Sequence, residues 1–132
     1  FVETICGRRR YFNFSSESLR VWQGKPPNTV DLSTIKLRDQ YDAQNLRAAA
    51  NAPIQGSSAD IIKLAMIQLH EQLKPLDATL LLQVHDELIF EVRPELWEEV
   101  RSLIQGTMEN AVSLSVPLQV DIHSGKNWME TK

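Results

Sequence analysis

Leu80-Leu81-Leu82-Gln83-Val84-His85-Asp86-Glu87-Leu88-Ile89-Phe90-Glu91-Val92 places three ionisable groups at the one point where a strongly apolar, β-prone run can turn back on itself. Leu80, Leu82 and Val84 read as one strand face, and Leu88, Phe90 and Val92 as the returning one. His85-Asp86 then takes the two-residue hairpin position, where Asn-Gly or Asp-Gly is the ordinary choice. A carboxylate raised on such a tip, with a second carboxylate and an imidazole beside it, suits a hard divalent cation at a sheet edge. The tip is equally compatible with a plain solvated turn, because Asp tolerates turn conformations well.

Outward from the hairpin, Pro94 at a first helical position predicts a helix with Trp97, Val100, Ile104, Met108 and Ala111 on its apolar face. Glu95, Glu98 and Glu99 fall in its first turns, where the helix dipole favours acids, and need no functional explanation. Val116 to Ile122 reads as a closing strand. On the upstream side, Pro75 ends a helix running from about Ser57 to Leu73, with Ile61, Ala65, Leu69 and Leu73 as its buried stripe. A separate helix is predicted from Asp42, a good N-cap, through Leu46 to Ala50, with Pro53 interrupting it. Asn51 is then a helix C-cap and Gln55 a loop residue. Phe1 to Tyr11 is a β-type segment with a basic exit. Between Asn13 and Gln40, the Ser, Asn, Pro, Gly and charge content predicts a surface insertion. Pro26-Pro27 forbids regular helix there, while Leu32 to Arg38 has room for one short turn. The sum is an α+β unit, an antiparallel sheet with helices on one face and the other face left for a partner or substrate.

The chain has 132 residues, 42% of them hydrophobic, enough for one modest core. Its single cysteine, Cys6, excludes an internal disulfide and reads as an inert, half-buried thiol. With no signal peptide or membrane-length apolar run in view, a cytoplasmic location is the expectation. The net charge of −3 alone argues against a nucleic-acid partner. Its distribution is more informative. Residues 1–74 carry ten Lys/Arg against seven Asp/Glu, and residues 75–132 carry four against ten. A first part that grips phosphates and a second that holds cations would produce such a split, as would ordinary solvated faces.

Gln83-Val84-His85-Asp86-Glu87 between two apolar strands resembles motif C of the family A DNA polymerases, the group that includes bacterial DNA polymerase I. Val2-Glu3-Thr4-Ile5-Cys6-Gly7-Arg8-Arg9-Arg10-Tyr11 resembles the strand entering the palm subdomain of those enzymes. Asn51-Ala52-Pro53-Ile54-Gln55-Gly56-Ser57-Ser58-Ala59-Asp60-Ile61-Ile62-Lys63 resembles their long palm helix, and Val116-Pro117-Leu118-Gln119-Val120-Asp121 with Gly125 and Trp128 their last strand and C-terminus. The blocks stand in the family's order. They cover nearly the whole chain apart from about the stretch from Asn13 to Gln40, which has no recognised counterpart in the family, and separate ungapped blocks are a far stronger signal than one short motif.

The resemblance implies that residues 1–132 are the C-terminal portion of a polymerase palm, with a surface insertion at about 13–40. It implies template-directed transfer of nucleotides from dNTPs to a primer 3′-hydroxyl, in DNA replication or repair, with Mg²⁺ as cofactor. Two such ions held by bridging carboxylates can activate the hydroxyl and neutralise the phosphate. Asp86 matches one of the two family aspartates. The second, on an upstream strand, and the fingers helix that handles the dNTP phosphates have no match here, so the chain alone is expected to be inactive. By the same resemblance Asp86 is a metal ligand, Glu87 an accessory carboxylate and His85 a neighbour of the primer terminus. Asn51 and Gln55 match residues near the templating and primer-terminal pairs, where amides test minor-groove acceptors that all correct pairs share. Arg47 resembles a phosphate-contacting arginine. For Arg8, Arg9 and Arg10, phosphate contact and structural ion pairing both stay open. The expected partners are primer-template DNA, dNTPs and the remainder of the polymerase chain (upstream palm, fingers and thumb), with no membrane. The location is then the bacterial cytosol or nucleoid, or an organelle of bacterial origin. Two other classes are retained: a non-catalytic nucleic-acid-binding module, and a small metal-dependent hydrolase using His85, Asp86, Glu87 and His123.

Overall fold

The computed structural model describes residues 1–15, 17–20, 24–25 and 40–131. Most of the insertion expected at 13–40, including Pro26-Pro27 and the turn proposed for Leu32 to Arg38, lies outside the described residues. The elements run β1 (Val2–Glu3), β2 (Arg9–Arg10), α1 (Glu17–Arg20), α2 (Gln40–Leu73), β3 (Ala78–Val84), β4 (Glu87–Val92) and α3 (Trp97–Glu109), with 3₁₀ turns at Pro94–Leu96 and Trp128–Thr131. The class is α+β as expected. The sheet, however, is two separate antiparallel pairs, β1 with β2 and β3 with β4. The chain divides into two compact units, Phe1–Ser57 and Ser58–Lys132.

In the second unit the periodicities of the sequence survive folding. Ala65, Leu69 and Leu73 are buried along α2 and Ile61 is half-buried, the stripe that four-residue spacing places on one face. Leu69 and Leu73 meet Ala78 of β3 and Val100 and Ile104 of α3, and Leu88, Phe90, Val92, Met108 and Ile122 pack around this cluster. Leu69 and Val100 are fully buried, so their side chains set most of the local hydrophobic contribution, about 1.5–3 kcal/mol each. Thr107 Oγ1 and Gln72 Oε1, 2.6 Å apart, add a polar tie between α3 and α2. An Arg93–Asp77 ion pair joins the open ends of the hairpin.

The hairpin forms where the apolar runs predict it, but its faces change partway. Leu80 pairs with Phe90, Leu82 with Ile89 and Gln83 with Leu88, so Leu81 is an extra residue in β3. Such a bulge shifts the alternation by one. Leu80 therefore shares a face with Phe90, whereas Leu82 sides with Ile89, and Leu81 and Leu82 stay 54% and 42% exposed. The single face expected for Leu80, Leu82 and Val84 is not formed.

Three further expectations are corrected. Val116 to Ile122 is not a strand. The Val120 amide donates to the Glu109 carboxylate at 3.1 Å instead of to a neighbouring strand, and both described sheets stop at two strands. Pro53 does not split the helix; α2 is one element of 34 residues with the proline inside. A proline there removes one backbone hydrogen bond and crowds the carbonyl four residues back, about 3 kcal/mol in an isolated helix, so bonds from outside the helix must offset it. Asp42 is not the N-cap. The helix starts two residues earlier, and the fully buried Asp42 carboxylate accepts hydrogen bonds from Ser15 N (2.8 Å) and Ser15 Oγ (3.1 Å).

The first unit is built on that helix start and on a small hairpin. Gly7, at φ +80°, allows the chain to reverse between β1 and β2. The turn is closed by Thr4 N–H to Arg8 O (3.0 Å), Gly7 N–H to Thr4 O (2.9 Å) and Arg8 N–H to Thr4 Oγ1 (3.2 Å). Cys6 lies in this turn and is exposed, not half-buried, because the turn lifts both it and Ile5 into solvent.

Candidate functional site

His85 and Asp86 form the two-residue turn between β3 and β4, and His85, Asp86 and Glu87 are all exposed. His85 adopts φ +55°, a left-handed conformation that an L residue enters at some cost. Gln83 helps to hold it there, its Nε2 donating to the His85 carbonyl at 2.9 Å. The tight tip leaves the Asp86 carboxylate at the hairpin edge with the Glu87 carboxylate next to it in sequence. Oxygen donors of this kind fit a hard cation such as Mg²⁺, which is commonly held by one or two carboxylates with phosphates and water completing its shell. Among the described residues no three His, Cys, Asp or Glu side chains gather at one cation. The tip therefore offers at most two carboxylates to a cation, and the hydrolase arrangement of His85, Asp86, Glu87 and His123 is not formed among the described residues.

In the first unit, continuity through Pro53 has a consequence for the polar residues. Arg47, Asn51 and Gln55 lie four apart on one unbroken helix, so they share a face, and all three are exposed. Neither the C-cap position for Asn51 nor the loop position for Gln55 is observed. A guanidinium followed by two amides makes a strip that can meet a phosphate and then base edges. Gln55 also lines a cleft of about 70 Å³ with Val2, Glu3, Thr4, Arg8, Arg10 and Gly56.

The three arginines of the hairpin have different surroundings. Arg8 Nη2 donates to the Gly56 carbonyl at 3.0 Å. Arg9 pairs with Glu3 at 2.8 Å and lies 4.6 Å from the centre of the Phe1 ring. The hydrogen bond and charge of Glu3 hold the Arg9 guanidinium above its ordinary pKa. Arg10 stacks over Phe12 at 5.0 Å. These contacts leave all three residues exposed, and a surface pair such as Arg9–Glu3 contributes little stability.

Sequence reasoning missed the residues that join hairpin to helix. Ser57 Oγ accepts from the Ile5 amide at 3.0 Å and donates to the Pro53 carbonyl at 2.5 Å. Gly56 sits so close to the hairpin that a Cβ on it would lie 2.7 Å from Thr4 Cγ2. The visible signal was Pro53-Ile54-Gln55-Gly56-Ser57 itself, two helix-weakening residues flanking a polar one inside an apolar-periodic stretch.

Comparison with known proteins matches this chain along its length. The family model for DNA polymerase family A covers residues 1–130. DNA polymerase I of Synechocystis sp. is 60% identical over 132 residues, all of this chain and 13% of that protein. The thermostable DNA polymerase I of Thermus filiformis is 42% identical over 132 residues, all of this chain and 14% of that protein. Among solved structures, the POL domain of Pol1 from M. smegmatis in complex with DNA primer-template and dNTP superposes with a TM-score of 0.75 at 39% identity, over 98% of this chain and 20% of that one. The chain thus spans about one eighth of the length of these curated relatives. With a family match over all but its last two residues and relatives well above 30% identity along its whole length, the chain belongs to the family A DNA polymerases.

Proposed function

We propose that residues 1–132 are the C-terminal portion of the palm of a DNA-directed DNA polymerase, acting in the cytoplasm on primer-template DNA and dNTPs together with the rest of the polymerase chain. The observation that carries this reading is the hairpin tip: a family A chain presents Asp86, exposed, at a tight turn between two apolar strands. In this reading Asp86 is a ligand to the Mg²⁺ ions, Glu87 an accessory carboxylate and His85 a neighbour of the primer terminus. The second family aspartate has no match in residues 1–132 and would come from the rest of the polymerase chain; among the described residues no three His, Cys, Asp or Glu side chains gather at one cation. Bound there, Mg²⁺ supplies Lewis acidity that favours loss of the primer hydroxyl proton and neutralises phosphate charge.

The chain's own residues orient the nucleic acid. Arg47 and the Arg8–Arg10 group neutralise backbone phosphates, and Asn51 and Gln55 test minor-groove acceptors of the terminal pairs, a check of shape more than of sequence. Residues 1–132 by themselves bind Mg²⁺ weakly and do not polymerise.

The test is Asp86→Asn in the intact polymerase. The amide keeps the shape but loses the charge, so incorporation should fall by at least a hundredfold, as for loss of a strong electrostatic contact. Primer-template affinity and melting temperature should stay near those of the unaltered enzyme. An Asp86→Asn enzyme that extends primers at the normal rate refutes the assignment. A parent protein that binds primer-template with no extension under any Mg²⁺ concentration favours the non-catalytic nucleic-acid-binding module instead.

A further inference from the structure

We infer that Ser57 is a positioning residue, which docks the β1–β2 hairpin onto one turn of α2 and through that turn orients the Gln55 amide; the inference rests on the reading of Gln55 as a DNA contact. The turn concerned is the weakest of the helix. Pro53 has no N–H to donate to the Ala49 carbonyl, and Gly56 has the greatest backbone freedom of any residue. Gln55 lies between them. Left to local propensity, this turn would open or tilt, and an amide on it would sample many directions.

The hairpin supplies what propensity lacks. Ser57 Oγ is held from both sides, accepting the Ile5 N–H at 3.0 Å and donating to the Pro53 carbonyl at 2.5 Å, so a single hydroxyl spans the proline turn and joins it to β1. Arg8 Nη2 reaches the Gly56 carbonyl at 3.0 Å, one residue beyond Gln55. The absence of a side chain on Gly56 lets Thr4 close over the helix. Pro53, Gly56 and Ser57 are thus each linked to the tie, and Gln55, exposed at the cleft that Gly56, Thr4 and Arg8 also line, is the side chain whose direction it sets. Ser57 itself need not touch DNA.

The experiment uses the intact polymerase with Ser57→Ala, Ser57→Thr, Gly56→Ala, Gln55→Ala and the Ser57→Ala/Gln55→Ala pair. Single-turnover extension from matched and mismatched primer ends is measured beside primer-template Kd. Ser57→Ala should lower the matched-over-mismatched ratio about three- to tenfold, the weight of one hydrogen bond, with Kd unchanged. Ser57→Thr, which keeps the hydroxyl, should restore the ratio. In the Gln55→Ala background Ser57→Ala should add nothing, because the two act as a unit. Gly56→Ala strengthens the helix but pushes Thr4 away, so it should lower the ratio as well. Should Ser57→Ala fold poorly, Gly56→Ala alone carries the comparison. Multiplying effects of Ser57→Ala and Gln55→Ala, or a Gly56→Ala enzyme with normal discrimination, overturn the positioning role while leaving Gln55 as a contact. A Gln55→Ala enzyme with normal discrimination overturns the reading of Gln55, and the positioning role with it.

Discussion

Replacing Gly56 by alanine sets a local gain against a tertiary loss, and the structure decides which is larger. Alanine in a helix interior is favoured over glycine by about 0.8–1.0 kcal/mol. Its methyl, however, would stand 2.7 Å from Thr4 Cγ2 and 3.3 Å from Arg8 Nη2. Carbon atoms settle at about 3.5–4.0 Å, so close to 1 Å of overlap must be relieved. Thr4 cannot simply rotate away, since it is stiff at χ1 and its Oγ1 accepts the Arg8 amide at 3.2 Å. Relief therefore comes from moving the hairpin, which stretches the Ile5–Ser57 and Arg8–Gly56 hydrogen bonds. Overpacking of this kind costs about 1–3 kcal/mol, more than the helix gains at most of that range. The expected outcome is a net destabilisation of about 1 kcal/mol in the hairpin, read as about fivefold faster amide exchange at Ile5. Thr4→Ser in the same protein removes Cγ2 and retains Oγ1, and should return protection to the original level or above. A Gly56→Ala protein with slower exchange at Ile5 and a raised melting temperature would refute the reasoning, because it would mean that the close approach is not maintained.

Leu69→Ala should destabilise the second unit by about 2–5 kcal/mol in urea unfolding, since Leu69 is fully buried at the centre of its core. Pro53→Ala should strengthen α2 by restoring a donor to the Ala49 carbonyl, seen as slower amide exchange through residues 49–57; unchanged exchange would show that the hairpin already offsets the whole cost of the proline. The Lys74 ammonium, bonded to Glu71 at 2.7 Å, holds the Glu71 carboxyl below its ordinary 4.5. A folded value below the unfolded one means that the pair's stabilisation is complete above about pH 4.5 and fades as acid protonates Glu71, a dependence that Glu71→Gln should remove from an NMR titration of the helix end.

Where a side chain's fate depends on near neighbours in the chain, the residues alone were sufficient. The β3–β4 hairpin, the exposed tip with Asp86, the buried stripe of α2 and the apolar face of α3 at Val100, Ile104 and Met108 all follow from periods of 2 and 3.6 in hydrophobic spacing, and Pro75 and Pro94 mark boundaries through their own ring geometry. Ala111, expected on that face, lies just past the end of α3 at Glu109. The order of the motif blocks likewise marks the family, in agreement with the family model over residues 1–130. Long-range contacts decided the rest. Pro53 is a helix breaker by local rules, and the Ile5–Ser57 and Arg8–Gly56 bonds, between residues 52 and 48 apart in sequence, support the turn of α2 that contains it. That continuity is what brings Arg47, Asn51 and Gln55 onto one face. The bulge at Leu81 is a matter of register between two strands, which hydrophobic alternation in one strand does not encode. Val116 to Ile122 has strand composition but, among the described residues, no strand to pair with, and a β-strand exists only through its partner.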